Sequence, residues 1–202
     1  EPLGEFSVRM PGKHNVLNTL SAIAVADELE VPLDVVKHAL ATFHGVARRF
    51  TIVAEVGGVT LVDDYGHHPA EVEATLKAAR GAYAGRIIVA FQPHRYTRTA
   101  HLFDDFTRAF NDADVVMFSD IYPAGEAPIP GVTAERLAKA VTEHGHHHSS
   151  YVPDRRELCD RVAREARPGD VVIALGAGDI NKILPLVATE LGARAAESGV
   201  KP

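Results

Sequence analysis

Two stretches of this 202-residue chain, "DDYGHHPAEVE" (63–73) and "FQPHRYTRT" (91–99), concentrate its unusual polar chemistry. The first places two acids, a tyrosine and two imidazoles ahead of Pro69, a residue suited to the first turn of a helix. Such a set could form a metal centre, an acid–base site or a polar helix cap. If Asp63 and Asp64 end a strand, side-chain alternation sends them to opposite faces, and only one reaches the ligand edge. An acid there takes either a ribose diol or a metal. A metal needs at least three convergent ligands. Asp64, His67 and His68 could supply them, except that Pro69 draws His68 into the entry of the helix.

The second stretch brings His94, Arg95, Tyr96 and Arg98 close to another strand end. The planar fork of arginine matches carboxylate or phosphate with two parallel hydrogen bonds, so an anionic ligand is expected. The alternative is a pair of surface arginines matched to acids. Further signals are weaker. "PGKHNVLN" (11–18) puts Lys13, His14, Asn15 and Asn18 at the start of a helix. Asn15 and Asn18 are three apart and share a face, where amides can read the edge of a base, although Asn15 could equally cap the helix. Arg48 and Arg49 are adjacent, so at least one faces a cleft. "GAGDIN" (176–181) could offer backbone N–H groups to an anion or simply make a tight strand-to-helix turn. It is no dinucleotide fingerprint, because Asn181 stands at the third glycine position. "HGHHHSS" (144–150) has no acid or cysteine at ligand spacing and is expected to be a solvated loop.

The elements that must hold these residues follow from periodicity. Residues 16–30 and 31–43 carry apolar side chains at helical spacing, with Val35, Val36, Ala39, Leu40 and Phe43 on one side. "TIVAEV", Gly57-Gly58 and "VTLVDD" form a β-hairpin. From there helices over 69–83, 101–111, 133–144, 155–166 and 179–191 alternate with strands over 86–91, 114–120, 150–152 and 170–175. "AESGVKP" ends the chain as a loose tail. Apolar strands separated by amphipathic helices predict an α/β fold: a Rossmann-like, mostly parallel sheet with helices on both faces. The β-hairpin and an N-terminal helical remnant of another domain precede it. Ligands of such sheets sit beyond the carboxyl ends of the strands. "DDYGHHP", "QPHRYTRT", "SDIYPAGEAPIPG" and "GAGDIN" all leave from there.

Composition narrows the class. An apolar share of 46% and a charged share of 24% belong to an ordinary globular protein. Lys plus Arg number 21 against 27 acids, a net charge of −6, which argues against nucleic-acid or membrane-surface binding. One cysteine, Cys159, cannot form an internal disulfide or a cysteine-based zinc site, so a reducing cytoplasmic setting is expected. No apolar run approaches the roughly 18 residues of a membrane helix. The opening "EPLGEFSVRMPGKHN" reads as the middle of a domain, so a fragment is expected.

Together "PGKHNVLN", "GVARRF", "DDYGHHPAEV" and "FQPHRYTRT" resemble the Mur ligases of peptidoglycan synthesis, and within them the branch that adds alanine. The likeness continues through "LFDDF", "YPAGEAPIPGV" and "GAGDI", in order along the whole chain. A sister branch that recycles murein tripeptide has other residues where "FQPHRYTRT" stands. The resemblance implies an ATP-dependent acid–amino-acid ligase joining L-alanine to UDP-N-acetylmuramate in cell-wall biogenesis. ATP phosphorylates the sugar's carboxylate, and the amino acid's amine displaces phosphate. Residues 1–50 would be the C-terminal remnant of the central ATPase domain and 51–202 the amino-acid-binding domain. The chain holds no G-x-x-x-x-G-K-[ST] phosphate loop, so the isolated piece is expected to be inactive. By the same resemblance His14, Asn15 and Asn18 lie near the adenine, Arg49 reaches the phosphates and Asp64 the ribose. His67, His94, Arg95 and Arg98 hold the incoming alanine, and the two histidines are the candidates for catalysis. Mg²⁺ ligands fall mostly outside the chain, with no metal site inside it. Two other readings stay open at this point: a metal-dependent phosphoesterase using the Asp and His cluster, and a non-catalytic nucleotide- or amino-acid-binding module.

Overall fold

The computed structural model describes residues 2–10, 12–43 and 45–197, without the His14 side chain. In chain order the elements are helices α1 (Lys13–Glu28) and α2 (Leu33–Thr42), strands β1 (Thr51–Val56) and β2 (Val59–Asp64), helix α3 (Pro69–Ala82), strand β3 (Ile87–Phe91), helices α4 (Tyr96–His101) and α5 (Phe103–Phe106), strand β4 (Val115–Phe118), helix α6 (Ala134–Glu143), strand β5 (Ser149–Tyr151), helix α7 (Arg155–Glu165), strand β6 (Val171–Leu175), a 3₁₀ turn (Ile180–Ile183) and helix α8 (Leu184–Glu197).

Gly57 and Gly58, at φ 58° and 77°, close the β1–β2 hairpin. Two consecutive positive φ values match the twist of the flanking strands, and glycine adopts them without a Cβ penalty. The sheet order is β1-β2-β6-β3-β4-β5, with every pair parallel except β1–β2. Strands β3 and β6 are fully buried runs of Val, Ile, Leu, Ala and Phe, as strands covered on both faces must be. Alternation divides their side chains between two cores. Ile87, Val89 and Phe91 pack with Val72, Leu76, Phe106, Phe110 and Leu137, under α3, α5 and α6. Ile88 and Ala90 pack with Leu158, Val162, Val187 and Leu191, under α7 and α8. This is the expected three-layer, Rossmann-like α/β sheet with its antiparallel hairpin at one edge.

Several boundaries depart from expectation. Helix α1 starts at Lys13, so Asn15 lies inside it and the cap position falls to Gly12. The helix expected over 101–111 begins at Tyr96 and breaks at Leu102, which moves Arg98 from loop to helix. The final helix opens as a 3₁₀ turn and runs through Glu197; residues 198–202, the rest of the expected tail, lie outside the described residues. On α2 only Val36 of the expected apolar face is buried, whereas Val35 and Phe43 are exposed. Along α1, Val16, Leu17, Leu20, Val25 and Leu29 are likewise exposed.

Candidate functional site

The loops after β2, β6, β3 and β4 meet at the carboxyl edge of the sheet, and β2 delivers its two acids there with opposite fates. Asp63 faces the α8 side. Its Oδ1 accepts from Arg48 Nε at 3.3 Å and its Oδ2 from Asn181 Nδ2 at 3.3 Å. Asp64 faces α3, and its oxygens accept the backbone N–H groups of Phe50 at 2.8 Å and Gly66 at 2.7 Å. Burial pushes the Asp64 carboxyl above its ordinary value; the bonds from Gly66, Phe50 and Thr75 and the charge of Arg49 offset this in part.

Around Asp64 a cavity of about 480 Å³ opens between α1 and α3, lined by Asn15, Asn18, Arg49, Asp64 and Glu71 among the apolar side chains of Met10, Phe43, Val46 and Phe50. Flat apolar walls, two amides one helical turn apart, a guanidinium and a carboxylate are the chemistry a nucleoside phosphate calls for. Asn15 and Asn18 thus share a cavity, as their spacing implied. Of the two adjacent arginines, Arg49 faces the cleft. Arg48 turns inward and donates to the carbonyls of Gly176, at 2.6 Å, and Gly178, at 3.1 Å. Positive φ at Arg48 (60°) and Phe50 (48°) sets this divergence, a conformation residues with a Cβ adopt only where surrounding contacts enforce it.

A second cluster lies beside the first. The rings of His67 and His94 are 5.7 Å apart between centroids, and His94 stacks on Tyr122 at 5.5 Å with 7° between planes. Arg98 donates from one nitrogen to His94 Nδ1 at 3.1 Å and to the His94 carbonyl at 3.2 Å. The loop is held to its neighbour by Arg95 N–H donating to the Tyr122 carbonyl and Tyr122 N–H to that of Pro93. Arg95, at φ 71°, begins α4. Among the described residues neither Arg95 nor Arg98 forms an ion pair with an acid, although the Arg95 charge still acts on Glu126. Burial first, then the charges of Arg98, His67 and Arg95, hold the His94 imidazole below its ordinary value.

Glu71 joins the two clusters. Its Oε1 lies 3.7 Å from Arg49 and its Oε2 lies 3.5 Å from His67 Nδ1. Oε2 also accepts the N–H groups of His67 and His68 at 3.0 and 3.1 Å. Burial works to raise the Glu71 carboxyl, but the N–H of His67, the His67 ring, the N–H of His68 and Arg49 outweigh it and hold it below the usual range. Sequence reading passed over Glu71. Its signal was the spacing of three from His68, which caps α3 by accepting from Ala70 N–H while Glu71 bonds back. Tyr122 was also missed, because only the sheet order places its loop beside His94.

One open alternative finds support and one expectation is qualified. The "GAGDIN" segment fits the tight-turn reading: the N–H groups of Asp179 and Ile180 donate to Gln92 Oε1 and that of Gly176 to the Asp64 carbonyl. Its glycines serve close packing, since a Cβ on Gly178 would stand 2.7 Å from Tyr122 Cγ. Within the histidine run, His146 leaves the solvent to bond the Ala113 carbonyl through Nε2 at 2.9 Å. Its Nδ1 is buried without a partner among the described residues. The His14 side chain, placed near the adenine by resemblance, lies outside the described residues. Among the described residues no three His, Cys, Asp or Glu side chains converge closely enough to hold a metal ion, and no helix is long and apolar enough to cross a membrane.

A mostly parallel sheet with Arg, His and Glu side chains gathered at its carboxyl edge makes this a Rossmann-like α/β domain with a polar cleft there. Comparison makes the class specific. Residues 48–178 match the family described as Mur ligase, glutamate ligase domain, and the chain belongs to the Mur ligase family. It is 67% identical over 184 residues to a UDP-N-acetylmuramate–L-alanine ligase of Sorangium cellulosum, covering 90% of this chain and 39% of that protein. A protein of the same description from Anaeromyxobacter sp. strain Fw109-5 is 58% identical over 185 residues, covering 92% of this chain and 40% of its own length. Among solved structures, the UDP-N-acetylmuramate-alanine ligase MurC of Thermotoga maritima superposes with a TM-score of 0.77 at 29% identity, over 96% of this chain and 40% of that one. The chain therefore spans about 40% of the length of the relatives it matches.

Proposed function

We propose that this chain is the C-terminal part of an ATP-dependent ligase that joins L-alanine to UDP-N-acetylmuramate in the cytoplasm. Residues 1–50 would end the central ATPase domain and 51–202 form the amino-acid-binding domain. The exposed apolar residues of α1 and α2 support that division, because they suit a surface that packs against the body of another domain. One observation carries the functional reading: a nucleoside-type cavity and a His/Arg cluster open side by side at one sheet edge and share Glu71. Asn15 and Asn18 would meet the adenine, Arg49 the phosphates and Asp64 the ribose. Arg95 and Arg98 would take alanine's carboxylate, with His67 at its ammonium and His94 alongside.

Bringing ATP and alanine to adjoining pockets places the amine beside the acyl phosphate as it forms, and closing the domain over it would keep out water that hydrolyses the intermediate. Mg²⁺, when bound, would neutralise the ATP phosphates, and its protein ligands would come mostly from the part of the ligase outside this chain. The phosphoesterase reading is the weaker one, since no three His, Cys, Asp or Glu side chains among the described residues converge on a metal site.

The test is phosphate release by the ligase carrying this chain as its C-terminal part. Release should require ATP, UDP-N-acetylmuramate and L-alanine together, and the isolated chain should show none. Release that ignores alanine, or that the isolated chain performs, would overturn the proposal.

A further inference from the structure

The Nδ1 partners of the two clustered histidines differ in kind, a backbone carbonyl at His67 and a guanidinium at His94. Resting on the ligase reading above, we infer that His67 accepts the proton of the incoming ammonium at Nε2, while His94 is a neutral donor to the substrate carboxylate, and Glu71 positions His67.

The hydrogen-bond partners assign the tautomers. A backbone carbonyl can only accept, and the Tyr65 carbonyl lies 3.0 Å from His67 Nδ1, so Nδ1 carries the hydrogen. The Glu71 carboxylate, 3.5 Å from the same nitrogen, is a second acceptor that agrees with this. The lone pair of His67 is therefore on Nε2. At His94 the logic inverts. A guanidinium can only donate, and Arg98 donates to His94 Nδ1 at 3.1 Å, so the lone pair is on Nδ1 and already engaged. What His94 can offer a ligand is Nε2–H. Stacking on Tyr122 fixes the plane of that ring.

The surrounding charges support the same division. Glu71, itself 3.7 Å from Arg49, places its carboxylate 3.5 Å from His67 Nδ1, on the side of the ring that carries the hydrogen. At His94 burial first, then the charges of Arg98, His67 and Arg95 with Glu126 opposing them, favours the neutral ring. The arrangement of carboxylate, Nδ1–H and Nε2 lone pair is the one by which a carboxylate orients a basic imidazole. In the step itself an ammonium N–H bond breaks. Its proton goes to His67 Nε2 and its electron pair stays on nitrogen. That pair forms the C–N bond at the acyl carbon as the C–O bond to phosphate breaks. The departing phosphate keeps that bond's electrons and takes the second proton from nitrogen.

Nitrogen-15 NMR of the histidine rings in this chain reads the tautomers directly. His67 should show a protonated Nδ1 and a bare Nε2, and His94 the reverse. The opposite assignment at either ring overturns the inference, whether or not the ligase reading stands. In the complete ligase hydroxylamine, a nucleophile already unprotonated at neutral pH, can replace alanine. Losing a general base costs on the order of 10²–10⁴-fold. The ratio of hydroxamate to alanine product should therefore rise by about that factor in H67Q. In H94Q the ratio should move less, with the alanine KM raised instead. In E71Q, which keeps the helix cap but loses the carboxylate beside His67, the same ratio should rise, though less than in H67Q. A ratio that rises in H94Q and stays flat in H67Q sinks the assignment, whereas a wild-type ligase that makes neither product refutes the function proposed above.

Discussion

Arg48 donates from Nε to Oδ1 of the buried Asp63 while its two terminal nitrogens donate to the carbonyls of Gly178 and Gly176. One side chain thereby fastens the connector after α2 to the ends of β2 and β6. Arg49, the next residue, is half-exposed and faces the cavity. Replacing Arg48 by Ala strips the partially buried acid of its cation and frees the loop carbonyls. Breaking such a pair costs about 3 kcal/mol. In a chain of this size that corresponds to a fall in Tm of roughly 6–12 °C. R49A should leave Tm within about 2 °C of wild type and instead weaken ATP binding about ten-fold or more. Paired thermal melts and calorimetric titrations separate the two. Equal melting losses would mean that their roles are not divided as the geometry has it.

Neither Arg95 nor Arg98 forms an ion pair with an acid among the described residues, Glu126 acting on Arg95 only at longer range, so the ligand's carboxylate is the expected counter-charge. Removing a charge-assisted hydrogen bond costs on the order of 1.5–3 kcal/mol, roughly ten- to hundred-fold. R95A and R98A in the complete ligase should each raise the alanine KM by about this factor and the ATP KM much less. Initial rates over an alanine series at saturating ATP measure it. An alanine KM unchanged in both variants would remove the carboxylate assignment.

Two imidazoles confer a pH dependence on stability. Burial, helped by neighbouring positive charge, holds His94 below its ordinary value of 6.5. Burial likewise lowers His146, whose Nδ1 has no partner among the described residues. The folded chain then binds fewer protons than the unfolded chain just below the ordinary histidine value, so stability falls as pH drops through that window. Urea melts at pH 7.5 and 5.5 should show lower stability at the acidic value. The difference should shrink in H146N and again on adding H94N. A wild-type chain equally stable at both values would mean that these rings titrate as free histidines.

Gly178 touches the site indirectly. A Cβ there would stand 2.7 Å from Tyr122 Cγ and press on the Gln92 side chain. G178A should therefore displace the ring on which His94 stacks. Overpacking of this kind costs about 1–3 kcal/mol. The alanine KM should rise with the loss of Tm, and Y122F, which keeps the ring, should do neither. If G178A bound alanine normally, Tyr122 would have no part in holding His94.

The α/β class, the strand runs and the loops rich in His and Arg were legible because their causes are local. Buried strands need continuous Val, Ile and Ala, and a helix start can use Pro69 behind a polar cap. The motif resemblance likewise marked His67, His94, Arg95 and Arg98 before any coordinate. Misreadings fell where chain neighbours do not decide the outcome. The early start of α4 depends on Arg95 adopting a positive φ while its N–H reaches Tyr122. The exposed apolar faces of α1 and α2 show that helical periodicity records an amphipathic pattern without saying what covers it.

By itself, then, the sequence determined which side chains of the right chemistry stand at the carboxyl ends of strands, since alternation and helix capping act over a few residues. Tertiary structure decided how they are divided. It turned Arg48 inward and Arg49 out, set Glu71 between Arg49 and His67, and stacked His94 on Tyr122. Each of these rests on a contact to a group outside the local motif or across the sheet edge. Their geometry exists only once the strands have been ordered β2-β6-β3-β4.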